Sequence, residues 1–320
     1  MTQPTNSFNV FPSLAIGVTQ LTGEDNNKFL QGQLTCDLEQ LSPQQSVLGA
    51  HCDAKGKMLA ILRLIQCGNA ILALQAQQNT QSHLPSLKKY AVFSKVEIVD
   101  ATEQYHCTGL SGTDALAWAN TLTDKQLGDD IDTIETQYGV VSSFPLKVNG
   151  EPRLLLVSTP AQHQSLCDAL GQLTTTEYSN QHWFALDNLS GTPQITPALQ
   201  SEHVPQMLNM QMINGISFSK GCYIGQETVA RMHYRGLNKR AMFILSSSSH
   251  IDTQPGDSLE RQIGDNWRNA GTIVSVSNLG EQTIACAILP SDIELESQLR
   301  VKDSETDTLF TLSTPAYFDA

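Results

Sequence analysis

Apolar and polar positions alternate with a period of two through Leu14, Ile16 and Val18, the pattern of a half-buried strand, until Gly23-Glu24-Asp25 breaks it. Asp25 is placed to cap a short helix that turns Phe29 and Leu30 inward. Residues 46–52 and 58–66 predict strands joined across Asp53-Ala54-Lys55-Gly56 as a hairpin, and Gly68-Asn69 turns the chain into a third strand over 70–76. A helix is expected over 82–90 with Pro85 in its first turn, then a strand over 96–99. Strands in hairpins with helices between them argue for an α+β fold and against a doubly wound parallel sheet.

A second stretch of the same texture predicts a strand over 106–110, a helix over 114–122, strands over 140–148 and 153–157, and helices starting at Pro160 and Asn180. Residues 123–136 between them are acidic and polar and read as a solvated loop. From about Arg240 the texture changes to short β-rich runs (241–245, 271–276, 283–289, 308–312) separated by Gly, Pro, Asp and Ser, as in a small β-barrel or sandwich. At 320 residues the chain exceeds what one core holds. The expected division is a first α+β unit over 1–100, a second over 101–240 and a C-terminal β-barrel over 241–320.

Composition narrows the partners. Hydrophobic residues at 40% and charged ones at 16% are those of a globular protein, and 19 Lys plus Arg against 32 Asp plus Glu leave a net charge of −13. Such a surface repels phosphate backbones and anionic lipid, so no membrane association is expected and an anion site must be a local basic island. The 7 cysteines form no C-x-x-C pair, and the start MTQPTNSFNV carries no leader pattern, so free thiols in a cytoplasmic setting are expected. The 8 histidines show no H-E-x-x-H spacing, and no metal site is expected. No G-x-S-x-G, Walker A or G-x-G-x-x-G run is present, which removes the main supports of hydrolase, nucleotide-triphosphatase and Rossmann readings.

The chemistry gathers in Ser219-Lys220-Gly221-Cys222-Tyr223-Ile224-Gly225-Gln226-Glu227. Two glycines in five residues allow a tight turn, and helix-compatible residues from Gln226 place Cys222 just before a helix N-terminus. That position, and an ammonium from Lys220 nearby, would both favour a thiolate. Each residue also has a plain structural role open to it: Cys222 as a small buried hydrophobe, Lys220 as a solvated cation, Tyr223 as a packing aromatic, and Glu227 as a first-turn acid matching the helix dipole. Cys36 and Cys52 read as core thiols. Lys220, Arg231, Arg235, Lys239 and Arg240 face one acid, Glu227, between 220 and 240, an excess of four positive charges and the basic island required above. Pairing of Lys239 and Arg240 with surface acids is the alternative.

The run from Lys220 to Glu227, with Val229-Ala230-Arg231, Arg235-Gly236 and Lys239-Arg240, resembles the K-G-C-Y-x-G-Q-E segment of the YgfZ family of folate-binding, tRNA-modifying proteins. Gly23, Asp25, the run Phe29-Leu30-Gln31-Gly32-Gln33-Leu34-Thr35 and Asp37 resemble the family's N-terminal signature. So do 51–58, 87–96, and Val204-Pro205-Gln206 with Asn209. The family is related to the glycine-cleavage T-protein, an aminomethyltransferase. The resemblance implies a multi-domain ring of α+β units with a C-terminal β-barrel around a central folate channel.

It also implies an accessory role more than stand-alone catalysis: tetrahydrofolate or a derivative bound, iron-sulfur enzymes or their assembly proteins as partners, and tRNA thiomethylation served indirectly. Lys220 and Cys222 would be the functional pair, with Trp183, Tyr223, Gln226, Glu227 and Arg231 on the cofactor side. Three positions depart from the pattern. Ile16 stands where relatives often have a second folate-contacting tryptophan, and Leu189-Ser190-Gly191-Thr192-Pro193 replaces E-A-G-x-P, removing a carboxylate suited to the pterin N–H groups. Residues 56–61 lack the paired aspartates of aminomethyltransferases, which puts a folate-dependent one-carbon transferase second. A non-catalytic scaffold that docks an acidic partner on 231–240 is the third reading.

Overall fold

The computed structural model describes residues 8–304 and 308–318. They divide into two compact units, one within Met1–Leu30, Asp37–Leu48 and Leu62–Trp183, the other within Gln31–Cys36, Gly49–Ile61 and Phe184–Ala320. The first unit runs past residue 100, where strand Asn9–Phe11 pairs with His106–Ser111, and the second takes in residues before 241.

In the first unit a six-stranded sheet runs in the order Thr176–Glu177, Asn9–Phe11, His106–Ser111, Arg153–Ser158, Gly139–Ser143, Thr133–Thr136. Leu154 and Leu156 of its central strand join Val10, Leu110 and Val141 in a core that also takes in Ala115 and Ala119 of helix Thr113–Ala119 and Leu166 and Leu170 of helix Pro160–Leu170. The latter helix starts on Pro160, with the Thr159 N–H donating to Gln162 Oε1 at 3.0 Å, so proline and cap agree on where it begins.

A five-stranded sheet has the order Val47–Cys52, Met58–Cys67, Ala70–Ala76, Ile16–Thr22, Glu97–Asp100, and residues 49–52 and 58–61 of its first two strands count with the second unit. Four local expectations are corrected. Residues 133–136 form an edge strand, not loop, because Thr133 and Ile134 pair with Ser142 and Val141. The strand expected over 140–148 stops at Ser143. The helix expected over 82–90 is Thr80–Lys88, entered through the 3₁₀ turn Gln77–Asn79, which leaves Pro85 inside it. The Asp25 carboxylate accepts the Lys95 N–H at 2.8 Å, while the Asp25 carbonyl receives the N–H of Phe29.

In the second unit six strands run in the order Leu299–Val301, Ser258–Ile263, Asn266–Leu279, Gln282–Pro290, Arg240–Ser247, Thr311–Ser313. The two ends of that order meet, since Leu299 bridges Phe310 with a Phe310 N–H to Leu299 carbonyl bond of 2.9 Å. The sheet thereby curls into a barrel whose interior holds Phe243, Leu245, Leu259, Ile273, Ala287 and Leu299. Irregular registers at Leu259/Glu260 and Ile273/Ser275 supply the bends that closing needs. Strands Ser258–Ile263 and Leu299–Val301 were not expected from sequence, since polar residues and turns interrupt their apolar pattern.

Candidate functional site

The loop that carries Cys222 is held from below by the lysine two residues before it. Lys220 Nζ donates to the carbonyls of Gln31 at 2.8 Å, Leu34 at 2.8 Å and Cys36 at 2.5 Å, which occupies all three ammonium hydrogens. The ammonium also lies 5.3 Å from the centre of the Tyr223 ring. The ammonium hydrogens are thus aimed at a backbone turn.

The same turn is stitched from either side. Ser217 N–H donates to Thr35 O at 2.8 Å and Ile224 N–H to Gly32 O at 3.2 Å, while Thr35 Oγ1 donates to Gly215 O at 2.6 Å and accepts the Ala50 N–H at 2.8 Å. Residues 31–35 of the first motif and 220–227 are therefore two halves of one assembly within the second unit.

A second contact fixes the loop's far end. Gly225 has φ +81° and Gly56, in the turn before strand Met58–Cys67, has φ +77°. A Cβ on Gly225 would stand 2.5 Å from Asp53 O, and one on Gly56 2.8 Å from Thr228 Cβ. The Asp53 carboxylate accepts the N–H groups of Lys55 at 2.8 Å and Lys57 at 3.0 Å, which shapes that turn. Gly225 precedes helix Gln226–Tyr234, and Gln226 Oε1 accepts the Tyr223 N–H at 3.1 Å. Buried Val229 anchors the helix, and its carbonyl accepts Gln206 Nε2 at 2.6 Å.

Between these fixed points Cys222 is exposed, as is Glu227 in the helix's first turn and Arg231 one turn on. The other thiols nearby are not available. Cys36 and Cys52 are buried, and burial, with Asp53 adding to it, pushes the Cys52 thiol far above the usual range. Burial likewise raises the Tyr223 phenol, so this tyrosine stays neutral. His51, 1% exposed, is lowered to about 4 by burial against an opposing pull from Asp53, and is neutral at pH 7.

Trp183, expected against a folate, lies in the first unit and is 1% exposed. Its ring meets Phe11 and Phe144 edge-on at 5.2 and 5.6 Å and sits 5.5 Å from the Arg153 guanidinium. A Cβ on Gly109 would come within 2.5 Å of it, so glycine there makes the room. Trp183 is thus packed among Phe11, Phe144 and Arg153 within the first unit. Leu189 is 37% exposed, and the adjoining Asn188 is tied by its side chain to Ser275 Oγ at 2.6 Å and Ile284 O at 3.1 Å. Among the described residues no group of His, Cys, Asp and Glu could hold a metal, and no helix is long and apolar enough to cross a membrane.

Some of what builds the site left no side-chain signal in the sequence. The acceptors of Lys220 are carbonyls. Asn209, in a left-handed turn at φ 58°, brackets Met242 with Nδ2 to O at 2.8 Å and N to Oδ1 at 3.1 Å. Its only trace is its match to a family position.

Comparison with known proteins agrees with this construction. Residues 238–304 match the model of "YgfZ, beta-barrel domain", the segment that closes into the barrel. Proteins called tRNA-modifying protein YgfZ are similar over nearly the whole chain. The one from Aliivibrio fischeri is 39% identical over 94% of this chain and 91% of its own, and that from Yersinia pestis 40% identical over 90% and 86%. Glycine cleavage system aminomethyltransferase T from Bartonella henselae shares the fold, with a TM-score of 0.72 at 14% identity over 98% of this chain and 86% of that one. With a curled C-terminal barrel, a clamped K-G-C-Y-I-G-Q-E loop and relatives at this identity, the chain belongs to the YgfZ family.

Proposed function

We propose that this protein is a cytoplasmic, folate-binding accessory factor that supports the assembly or repair of iron-sulfur enzymes and, through them, the thiomethylation of tRNA, with Cys222 as its working thiol. The observation that carries this reading is the contrast between an exposed Cys222 and the rigid mount beneath it, in a chain whose relatives are named for tRNA modification. A loop clamped by three charged hydrogen bonds and a glycine-to-glycine contact presents its thiol in one place.

Tetrahydrofolate or a derivative suits the donor set of the second unit. The Glu227 carboxylate accepts pterin N–H groups, and the Tyr223 hydroxyl and Gln226 amide supply neutral hydrogen bonds. The test is deletion of the gene followed by complementation with the natural protein or the Cys222→Ser variant, reading thiomethylated adenosine in tRNA. Loss on deletion and failure of the variant to restore it are expected; normal thiomethylation with active iron-sulfur enzymes in the deletion strain would remove the reading.

The likeness of fold to aminomethyltransferase T favours a second reading, folate-dependent one-carbon transfer. Gly56-Lys57-Met58 offers no acid at the place where such enzymes carry paired aspartates, which ranks it lower. Turnover of an aminomethyl donor with tetrahydrofolate by the pure protein would reverse that order.

A further inference from the structure

Three rings gather on one surface of the second unit. Phe218 and His233 stack with centroids 3.8 Å apart and planes at 17°, and Tyr234 meets His233 edge-on at 5.0 Å. Tyr234 is 71% exposed and Leu237 49%, while His233 is exposed and Phe218 half-buried. Single exposed apolar residues are ordinary; a stacked pair with a third ring at its edge is a built surface.

Cations border it. Arg231, Arg235 and Lys239 are exposed, and none of the three is in an ion pair among the described residues. Arg231, Tyr234 and Arg235 follow at spacings of three and four, which brings them to one side of the helix. The other two basic residues of 220–240 are turned to internal work: Lys220 on its three carbonyls, and Arg240 with Nη1 to Ala270 O at 3.3 Å. The excess of four charges seen in the sequence thus leaves three exposed cations, Arg231, Arg235 and Lys239, with Glu227 the one acid in that segment.

We propose that this surface binds a short unpaired stretch of RNA, with bases stacking on the Phe218–His233 pair and Tyr234 and phosphates on Arg231, Arg235 and Lys239. An acidic peptide would satisfy the cations and leave the rings without partners, and a duplex hides its base faces; unpaired RNA presents both π-faces and phosphates. The net charge of −13 limits the contact to the few nucleotides that this patch can screen. That the RNA is tRNA rests on the function proposed above, and direct contact replaces the indirect role expected from overall charge.

The test is fluorescence anisotropy of the full chain with a labelled single-stranded oligoribonucleotide of about eight nucleotides, its duplex, and a polyglutamate peptide as competitor. Three phosphate contacts give a log–log salt slope near −2, or about a 20-fold loss of affinity between 50 and 200 mM salt. Tyr234→Ala and His233→Ala are each expected to weaken binding about tenfold, and Arg231→Ala with Arg235→Ala to weaken it and flatten the salt slope, with unchanged thermal melting since all four side chains are exposed. No binding at 50 mM salt, equal binding of the duplex, indifference to the ring variants, or displacement by polyglutamate at matched charge would each overturn the proposal. Failure here alongside lost thiomethylation in the deletion strain would remove the RNA contact and leave the accessory role standing.

Discussion

Gly225 and Gly56 meet backbone to backbone: a Cβ on Gly225 would lie 2.8 Å from the Gly56 Cα and 3.0 Å from its nitrogen. Each also has a positive φ, so both demands of the contact, space and conformation, fall on residue types without a side chain. The contact joins the turn after Asp53 to the start of helix Gln226–Tyr234, the helix that follows Cys222 in the chain.

Gly225→Ala is therefore expected to destabilise the protein by more than the ~1–2 kcal/mol of a left-handed residue alone, because the nearest atom is a backbone carbonyl that cannot step aside. Gly221 gives the control from the same loop, since a Cβ there meets nothing within 4 Å. Denaturant unfolding of the two variants checks this. Equal stabilities would mean that the loop does not pack as described.

Replacing Lys220 by Met removes three charged hydrogen bonds and leaves the carbonyls of Gln31, Leu34 and Cys36 to find water. A loss of about 2 kcal/mol is expected for this half-buried group, with faster hydrogen exchange over 32–36. Cys36, 2% exposed, would become reactive to alkylating reagents in the variant. Lys220→Arg is expected to fail as well, because a planar fork does not reproduce three converging bonds. Protection over 32–36 that survives Lys220→Met would show that the clamp is dispensable.

For Trp183 the packing and ligand roles predict opposite results. Packed between Phe11, Phe144 and Gly109, Trp183→Ala should cost about 3–5 kcal/mol, and Trp183→Phe much less, with folate affinity unchanged in the folded phenylalanine variant. A tenfold loss of folate affinity in Trp183→Phe, without loss of stability, would return this ring to the ligand.

The thiols sort by burial in a way that labelling can count. Cys222 and Cys167 are exposed and Cys67 half-buried, whereas Cys36, Cys52, Cys107 and Cys286 are buried, the last two pushed up to about 12 by burial. A native-state titration with a thiol reagent is expected to show two fast groups, falling to one in Cys222→Ser, and four that react only after unfolding. Fast labelling that does not fall in that variant would mean Cys222 is covered.

Much of this was legible in sequence where local pattern and structure coincide. The hairpin around Asp53 and the change of texture near Arg240 rest on turn residues and alternation, which are local. What stayed hidden was set by distant partners. Thr133–Thr136 became a strand only because Gly139–Ser143 lies beside it, and Lys220 points at carbonyls some 180 residues away in the chain. The burial of Trp183 depended on a gap at Gly109 that no periodicity reveals. Local chemistry named the residues of the loop, and long-range packing decided their roles.

His51 makes stability depend on pH in a direction that can be worked out in advance. It is 1% exposed, bridged to Leu34, and lowered to about 4 from an ordinary 6.5 by burial. Above 6.5 it is neutral in both the folded and unfolded chain and contributes no slope. As pH falls from 6.5 toward 4 the unfolded chain binds a proton that the folded chain refuses, so stability is lost across that window, by up to about 3 kcal/mol at its lower end. His203, also lowered by burial, acts in the same direction. Because acids titrate at the low end of this range too, the diagnostic quantity is the difference between the natural protein and His51→Gln. Unfolding free energies measured at intervals from pH 7 to pH 4 should fall more steeply for the natural protein, and parallel curves would mean that His51 accepts its proton in the folded state.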